Sequence, residues 1–417
     1  MSAVSYELMG KVQINFDRRK SLENGKPIRL PRSKSMAARR LILDFIHGYK
    51  EGRMNLPDCD DTRELSAALQ QLKEGVSGSR YDLGAGGTSL RFFIALVASL
   101  ENFDGIVDCS PQLRRRPLAP LVTALRRAGA DINYMEREGY APIYIKGKKL
   151  KGGEVEVSGG VSSQFISALL MASLLWQEPL HLKIEGAQVS QPYVEMTRRM
   201  MEDADSEDIE PDWSAAAFFY ELCLIMPGNN VEIESLRKPE ESVQGDAGCE
   251  KIFGLLGVTT NWHPDGKAVL EGDSKIIESM ARMPVALELD LGKMPDLVPA
   301  LAVGMALAGI KYQFYNVGHL RHKESDRLMA LQMEMEKIGY SLETGDDSIS
   351  WNGRKLPVGE DEVIDSHGDH RIAMAFAMAA VRMGYLTIDG AECVAKSFPG
   401  FFEELEKIGF EVKFIKG

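Results

Sequence analysis

Basic and hydroxyl side chains stand where apolar helices are predicted to begin. In residues 30–39 (LPRSKSMAAR), Lys34 and Ser35 open the first turn of a predicted helix, and Arg39 lies one turn further along the same face. A helix N-terminus has unpaired N–H groups and a partial positive charge, so it attracts anions. The segment therefore indicates a site for an anionic ligand, and a capped helix with a solvated basic end is the equally weighted alternative.

Glycines precede the second apolar helix, in residues 83–91 (LGAGGTSLR). Closely spaced glycines allow the backbone to approach a phosphate or a carboxylate. The segment is not a P-loop, because the glycines are not followed by Lys-Ser or Lys-Thr. A second anion site and a plain tight turn explain the segment equally well.

Serine hydroxyls mark the start of the third apolar helix. Ser162 and Ser163 lie in residues 160–165 (GVSSQF), and Ser190 opens residues 190–193 (SQPY) after the next predicted strand. Three hydroxyls near one helix start suit a phosphate monoester, which offers three acceptor oxygens. Ordinary helix caps are the alternative interpretation.

Charged residues of both signs open two helices in the last third of the chain. Asp296 opens an apolar helix, and residues 322–327 (HKESDR) open the amphipathic helix predicted over residues 323–339. We predict that Lys323 and Arg327 share a helix face at i, i+4, with Glu324 alongside. A charged surface face is the alternative.

Histidines in this part of the chain come in two close pairs, His319 with His322 and His367 with His370. The second pair belongs to residues 367–371 (HGDHR). A metal site would need further ligands at suitable spacing, and no helix of the HExxH type accompanies these pairs. We therefore expect no metal and no other cofactor.

The composition argues against several classes of protein. The formal net charge is −12, which disfavours a nucleic-acid or membrane surface and leaves small anions to local clusters of Lys and Arg. The five cysteines are scattered and form no CxxC, so neither a disulfide framework nor a zinc site is indicated. No leader pattern is found, and no apolar run is long enough for a bilayer. We expect a cytoplasmic monomer that acts on small molecules, without a nucleic-acid or membrane partner.

The segments described above recur because the chain repeats one unit. Six segments are apolar nearly all round, which indicates buried helices, and they begin near Ser35, Thr88, Ser163, Ser214, Asp296 and Asp369. An amphipathic helix follows each of them, five of the six ending at a glycine, and short alternating runs predict strands. The third copy is expected to lack a strand pair, with the acidic residues 206–212 forming a solvated crossover. A chain of 417 residues fits two domains.

These motifs together resemble the EPSP synthase family of enolpyruvyl transferases along nearly the whole chain. LPRSKSMAAR resembles the family's LPGSKSxSxR, and LGAGGTSLR resembles LGNAGTxxR. SPQLRRRP, GVSSQF, SQPY, MPD, RHKESDR, GDHRIAM and AKSFPGF follow in the family's order. A sister family that transfers enolpyruvyl to a UDP-sugar shares the fold. It has Lys-Asn where this chain has Lys34-Ser35, and it lacks the Ser-Ser-Gln triplet.

The resemblance implies an α/β fold of two domains, each an inside-out α/β barrel (an inverse α/β prism) made of three βαβαββ units. The chain would then contain six repeats, the third of them shortened. Residues 1–31 with 212–417 would form a discontinuous C-terminal-type domain, and residues 32–211 an N-terminal-type domain. The active site would lie in the cleft between them.

The resemblance also implies the reaction, in which the enolpyruvyl group of phosphoenolpyruvate passes to the 5-hydroxyl of shikimate 3-phosphate. The products are EPSP and phosphate, and the pathway is the shikimate pathway of aromatic amino acid biosynthesis. For this addition–elimination we assign Asp296 as the base and Glu324 as the acid, with Lys34 and Lys323 as assisting cations. A UDP-sugar enolpyruvyl transferase and a non-catalytic binding relative are the alternatives.

Two sets of binding residues follow from the same resemblance. Those expected to bind shikimate 3-phosphate are Lys34, Ser35, Arg39, Ser162, Ser163, Gln164, Ser190, Tyr193, Asp296, His319 and Lys323. Those expected to bind phosphoenolpyruvate are Lys34, Gly87, Thr88, Arg91, Arg116, Gln164, Arg327, Arg371 and Lys396. Arginine forks and lysine charges suit the carboxylate and phosphate of phosphoenolpyruvate.

Three positions depart from the family's pattern. Ala85 replaces an Asn in the glycine segment, Phe92 replaces the Pro after its arginine, and His319 stands where an Asn commonly contacts the phosphate of shikimate 3-phosphate. We therefore expect the phosphoenolpyruvate pocket to differ in detail, which bears on the response to the inhibitor glyphosate.

Overall fold

The computed structural model describes residues 10–23, 26–49, 55–75, 78–158, 163–185, 190–203, 205–359 and 362–415. Ser162, one of the three serines expected to bind phosphate, lies outside these ranges. The described part of the chain forms two compact units. The discontinuous unit comprises Met1–Pro31 and Glu210–Gly417, and the continuous unit comprises Arg32–Ile209.

Helices and strands alternate through both units. The helices are α1 (Lys34–His47), α2 (Asp60–Glu74), α3 (Gly87–Ala98), α4 (Ala119–Arg127), α5 (Ser163–Ala172), α6 (Gln191–Glu202), α7 (Trp213–Ile225), α8 (Cys249–Leu255), α9 (Ser274–Ala281), α10 (Val298–Leu307), α11 (Arg327–Lys337), α12 (His370–Met378), α13 (Ala380–Met383) and α14 (Phe401–Lys407). The strands are β1 (Lys11–Asn15), β2 (Ser79–Asp82), β3 (Asp104–Asp108), β4 (Asp131–Tyr134), β5 (Ile143–Lys146), β6 (Gly153–Ser158), β7 (Leu180–Glu185), β8 (Asn230–Ile233), β9 (Val258–Trp262), β10 (Ala268–Gly272), β11 (Leu287–Asp290), β12 (Tyr312–Tyr315), β13 (Glu343–Thr344), β14 (Ser348–Trp351), β15 (Val363–Asp365), β16 (Tyr385–Asp389) and β17 (Glu411–Ile415). None of the described helices is long and apolar enough to cross a membrane.

Three of the sheets share one topology. Their strand orders are β2-β3-β5-β4, β11-β12-β14-β13 and β15-β16-β1-β17. In each, the first two strands are parallel and the later neighbours are antiparallel. A parallel pair needs a crossover connection, and α3, α10 and α12 provide it. Because β1 pairs with β16 and β17, the start of the described chain completes a sheet formed by its end.

The two remaining sheets are smaller. Strands β8, β10 and β9 form an antiparallel sheet of three, and β6 and β7 form a parallel pair. Helix α6 follows β7, and the described residues between α6 and α7 contain no strand.

The apolar segments form buried helices, as their pattern predicts. In α7 and α10 every residue is buried, and a helix that is apolar all round can be stable only in such a position. The charged residue in these two helices is Glu221 of α7, whose side chain is also fully buried. Gly304 of α10 makes room for it, because a Cβ there would lie 2.9 Å from Cγ of Glu221.

The helix predicted over 323–339 begins later, at Arg327, so the expectation that Lys323 and Arg327 share a helix face is wrong. Asp326 is the reason, because its carboxylate accepts a hydrogen bond from the backbone N–H of Met329 (3.1 Å) and caps the helix there. Lys323 and Glu324 lie in the turn between a 3-10 helix (Gly318–His322) and α11.

The acidic crossover is solvated only in its first half. Glu207 and Asp208 are exposed, whereas Glu210 is buried and accepts hydrogen bonds from Ser242 Oγ (2.5 Å) and Gln244 Nε2 (3.0 Å). The prediction of a fully solvated crossover is therefore wrong for its second half. Hydrogen bonds satisfy Glu210 there, so burial does not leave its oxygens without partners.

Candidate active site

A buried arginine joins three carboxylates in the discontinuous unit. Arg327, the first residue of α11, is 1% exposed. Its guanidinium donates hydrogen bonds to Asp296 (Nη1 to Oδ1, 2.8 Å), Glu324 (Nη2 to Oε2, 3.0 Å) and Asp369 (Nε to Oδ2, 2.7 Å). The planar fork of arginine suits such multiple contacts, and its charge compensates the carboxylates it buries. The arrangement fixes Asp296 and Glu324 on either side of one cation.

Further cations approach two of these carboxylates. Arg371 Nη2 donates to Asp296 Oδ2 (2.9 Å), and Lys396 Nζ donates to Glu324 Oε1 (3.1 Å). Lys323 Nζ lies 3.9 Å from Asp296 Oδ1. We call these seven residues the ion-pair cluster, which consists of Asp296, Lys323, Glu324, Arg327, Asp369, Arg371 and Lys396. Its four cations exceed its three carboxylates by one positive charge.

Helix and turn starts position the cluster. Asp369 caps α12, where its carboxylate accepts from the backbone N–H of Arg371 (3.0 Å) as well as from Arg327 and Ser325 Oγ (3.2 Å). Asp296 lies in a 3-10 helix (Pro295–Leu297) that leads directly into α10. Carboxylates are favoured at such positions because the helix N-terminus is partially positive.

The cations set the protonation of Asp296. Burial alone would raise its pKa, but Arg371, Lys323 and Arg327 hold the pKa well below its usual value. Asp296 is therefore an ionised carboxylate while these cations surround it. Its proton affinity depends on how many of them stay in place.

Two further titratable groups, Asp246 and His319, lie near Asp296. The surroundings of each one favour its neutral form. Burial and then the charge of Asp296 raise the pKa of Asp246 to about 6, against a hydrogen bond from Ser214 Oγ (2.5 Å). Burial and the charge of Lys323 lower the pKa of His319 to about 4. His319 Nε2 has no hydrogen-bond partner among the described residues.

In the continuous unit, a lysine–carboxylate pair joins the starts of two helices. Lys34 is the first residue of α1, and its Nζ donates to Oδ2 of Asp61 (3.0 Å) in the first turn of α2. Both side chains are largely shielded from solvent. Asp61 was not among the predicted site residues. The acidic start of the sequence DDTREL is the signal that could have indicated it, since acidic residues favour the first turn of a helix.

The glycine segment packs tightly against an arginine. Gly87 begins α3, and a Cβ placed on it would lie 2.5 Å from Nη1 of Arg116. Only glycine therefore allows Arg116 to lie where it does. Beside it, Gln164 Nε2 donates to Thr88 Oγ1 (3.0 Å), which joins the starts of α3 and α5. The structure thus brings these four predicted residues together at two helix starts.

Arg39 is buried, with its guanidinium held by protein acceptors. It is 1% exposed and donates to Thr197 Oγ1 (2.8 Å), Ser167 Oγ (3.3 Å), and the carbonyl oxygens of Tyr193 (3.0 Å) and Ser35 (2.7 Å). In this structure it therefore links the segments that carry two other predicted residues, Ser35 and Tyr193.

Arg91 has a similar environment. It is 2% exposed and donates to the carbonyl oxygens of Gly87 (2.7 Å) and Pro117 (3.4 Å). It therefore joins the glycine segment to the segment that follows Arg116. The unusual Phe92 packs elsewhere, with its ring 5.2 Å from the guanidinium carbon of Arg39, a distance suited to a cation–π contact.

Two of the three serines expected to bind phosphate are described, and both are buried. Ser163 is the first residue of α5, and Ser190 directly precedes α6. Ser190 has φ 54°, a left-handed conformation that is uncommon for a residue with a side chain. Such strain occurs often at functional sites, where surrounding contacts maintain it.

Comparison with known proteins shows which family the chain belongs to. A family model described as EPSP synthase (3-phosphoshikimate 1-carboxyvinyltransferase) matches residues 20–207 and 203–405. A 3-phosphoshikimate 1-carboxyvinyltransferase of Bacteroides fragilis is 35% identical over 408 residues, which cover 93% of this chain and 96% of the relative. One of Pasteurella multocida is 32% identical over 425 residues, covering 90% and 93%.

Solved structures share the fold. An EPSP synthase from Acinetobacter baumannii aligns with a TM-score of 0.68 at 23% identity, covering 97% of this chain and 100% of that one. The enolpyruvyl transferase NikO from Streptomyces tendae aligns with a TM-score of 0.66 at 14% identity, covering 98% and 100%. The α/β fold is therefore that of the enolpyruvyl transferases. Together with the family match, these likenesses show that the chain belongs to the EPSP synthase (3-phosphoshikimate 1-carboxyvinyltransferase) family.

Proposed function

We propose that this protein transfers the enolpyruvyl group of phosphoenolpyruvate to the 5-hydroxyl of shikimate 3-phosphate and releases EPSP and phosphate. The reaction needs a base for the hydroxyl, an acid for the methylene carbon, and cations for two anionic substrates. One observation carries the proposal, namely that Arg327 bridges Asp296 and Glu324 while each carboxylate also has a cation of its own.

The cations of the ion-pair cluster suit phosphoenolpyruvate. Its carboxylate and phosphate can take hydrogen bonds from Arg327, Arg371 and Lys396, as carboxylates of the protein do here. Binding would then be an exchange, in which substrate oxygens replace protein oxygens around the same cations. The exchange would leave Asp296 and Glu324 with fewer cationic neighbours, so their proton affinities would rise.

The proposed proton movements follow from that exchange. In the addition step, Asp296 takes the proton of the 5-hydroxyl as its oxygen bonds to the central carbon, and Glu324 gives a proton to the methylene carbon. In the elimination step, the new methyl group returns a proton to Glu324, and phosphate leaves with the proton from Asp296. Each carboxyl group ends as it began. Two carboxyl groups in different surroundings can hold these opposite protonation states.

The continuous unit would supply the groups for shikimate 3-phosphate. Ser163, Ser190 and Gln164 offer neutral donors, and Lys34 offers a cation. Ser162 is proposed for the same phosphate on the family resemblance alone. Since Arg39 and Arg91 are buried and hydrogen-bonded to backbone and hydroxyl oxygens, we infer that they act by positioning their neighbours.

Finer features of the architecture stay predictions. We infer two inside-out barrels with six repeats in all, and the topology shared by three sheets supports that inference. The domain boundaries at residues 31 and 211 stay predictions from the family resemblance. A cytoplasmic location and a monomeric state stay predictions, and the net charge of −12 argues against a nucleic-acid partner.

The proposal is tested by phosphate release from phosphoenolpyruvate, using purified protein without added metal. Release that requires shikimate 3-phosphate is the expected result. Silence with that acceptor but release with a UDP-sugar would place the activity with the sister family. Silence with both acceptors, combined with measurable binding of shikimate 3-phosphate, would indicate a non-catalytic relative.

A further inference from the structure

We propose that His367 is a positioning residue, which holds the loop before α12 against α11 and thereby sets the geometry of Arg327, Asp369 and Arg371. The loop connects β15 to α12 and carries one member of the ion-pair cluster, Asp369, while a second member, Arg371, lies in the first turn of α12. The inference rests on the proposed function for its kinetic consequence, and on the described contacts for its geometry.

Glu334 anchors the loop from the third turn of α11. Its side chain is fully buried, and His367 Nε2 lies 2.9 Å from its Oε1. Its other oxygen accepts from the backbone N–H of Asp365 (3.0 Å) and from Lys337 Nζ (2.7 Å). Lys337 also donates to the carbonyl oxygen of Val363 (3.0 Å). A buried carboxylate with three donors, two of them on the β15 segment and its loop, has little freedom to move.

His367 itself has an unfavourable backbone conformation. Its φ is 53°, in the left-handed region, where a side chain is uncommon and glycine is preferred. Gly368 follows directly, also with positive φ (65°). The ring bond to Glu334 and a backbone N–H bond to Asp365 Oδ1 (2.6 Å) are the contacts that compensate the strain.

The loop therefore contacts α11 at two levels. Arg327 at the helix start binds Asp369, and Glu334, about 10 Å further along the helix axis, binds His367. Two contacts fix both the position and the tilt of the loop, whereas one would leave a pivot. Because Asp369 also caps α12, the same loop sets the direction of Arg371. His367 thus acts on the proposed phosphoenolpyruvate site without touching it.

Charge adds a pH dependence to this contact. The charged groups that face His367 are Glu334 and Lys337 from α11 and Asp365 from the end of β15. The hydrogen bond with Glu334 raises the pKa of His367 above its ordinary value, and burial opposes that shift. The doubly protonated ring binds Glu334 as an ion pair, and the neutral ring only as a hydrogen-bond donor. The contact should weaken as pH rises through this pKa.

The test uses His367→Asn in the full chain, because asparagine tolerates the left-handed region but cannot reach Glu334. We expect the KM for phosphoenolpyruvate to rise about 10- to 100-fold with the KM for shikimate 3-phosphate unchanged, since small misplacements of binding groups have effects of that size. In the parent protein, kcat/KM for phosphoenolpyruvate should fall as pH rises above 6.5, because the contact between His367 and Glu334 weakens. In the variant this fall should be absent. His263→Asn, at an exposed turn between β9 and β10, is the matched control and should change neither quantity.

Two outcomes distinguish a failure of this inference from a failure of the proposed function. An inactive parent protein would refute the proposed function. The contact between His367 and Glu334 would then be tested by NMR titration of the His367 ring. Its pKa should be above 6.5 in the parent and lower in Glu334→Gln; equal values would overturn the inference. An active parent whose His367→Asn variant keeps the same KM and pH profile, while remaining folded by circular dichroism, would overturn it as well.

Discussion

Replacing Glu221 by methionine should stabilise the protein and change how its stability depends on pH. The side chain lies in the middle of α7, fully buried, and neither carboxylate oxygen has a hydrogen-bond partner among the described residues. Burial raises its pKa well above the ordinary value of 4.5. Methionine has a similar length and is apolar, so it can occupy the space beside Gly304.

The magnitude follows from two effects. A buried polar group without partners costs about 1–3 kcal/mol of stability, which methionine would recover. The second effect is linkage, because a carboxyl group with a raised folded-state pKa binds its proton more tightly in the folded than in the unfolded state. Stability then falls as pH rises above the unfolded value, by about 1.4 kcal/mol per pH unit, until the folded-state pKa is passed.

The assay is urea unfolding of the parent and Glu221→Met at several pH values above 4.5, followed by tryptophan fluorescence, since Trp213 and Trp262 lie in the same unit. Glu336→Met is the matched control, because Glu336 also lies in a helix of that unit but is exposed. We expect a free energy of unfolding higher by about 1–3 kcal/mol at the low end of the range, with the difference growing as pH rises. A variant as stable as the parent, or a difference that does not change with pH, would refute the reasoning.

Three further changes probe the site. Glu324→Gln should lower turnover at least about 100-fold with shikimate 3-phosphate binding intact; near-parental turnover in a steady-state assay would remove Glu324 as the acid. Gly87→Ala should raise the KM for phosphoenolpyruvate about tenfold, because its Cβ would lie 2.5 Å from Arg116 Nη1; an unchanged KM would show that Arg116 does not bind this substrate. Asp369→Asn should lower the free energy of unfolding by about 3–5 kcal/mol, since it leaves Arg327 short of a buried counter-charge. Urea unfolding measures that loss, and a change below about 1 kcal/mol would show that the other carboxylates suffice.

The fold class and the buried helices could be predicted from the sequence because they depend on patterns along the chain. An apolar segment without a polar face, such as the one that forms α10, has only one stable position, inside a domain. The start of α11 was mispredicted for an equally local reason. The side chain of Asp326 caps the helix through the backbone N–H of Met329, so α11 begins at Arg327, whereas helical periodicity alone continues back to Lys323.

Partners in the site could not be predicted in the same way. The sequence indicates that Lys34 and Arg327 stand at helix starts, but Asp61 lies 27 residues from Lys34 and Asp369 lies 42 residues from Arg327. Such pairs depend on how helices pack, which no local pattern specifies. The half-buried crossover has the same origin, because Glu210 is satisfied by Ser242 and by other groups far along the chain.

Under the proposed reaction, the pairing of Asp296 and Glu324 with these cations has a chemical consequence. A carboxylate surrounded by cations is a poor base and is hard to protonate, so in the proposed roles Asp296 and Glu324 would be inactive as long as Arg327, Arg371 and Lys396 bind them. An anionic substrate that takes over these cations would restore the proton affinity of both carboxylates at once. Substrate binding and activation of the acid and base would then be one event. The protein would avoid carrying a reactive proton donor in the absence of its substrate, and no separate conformational signal would be needed to switch the chemistry on.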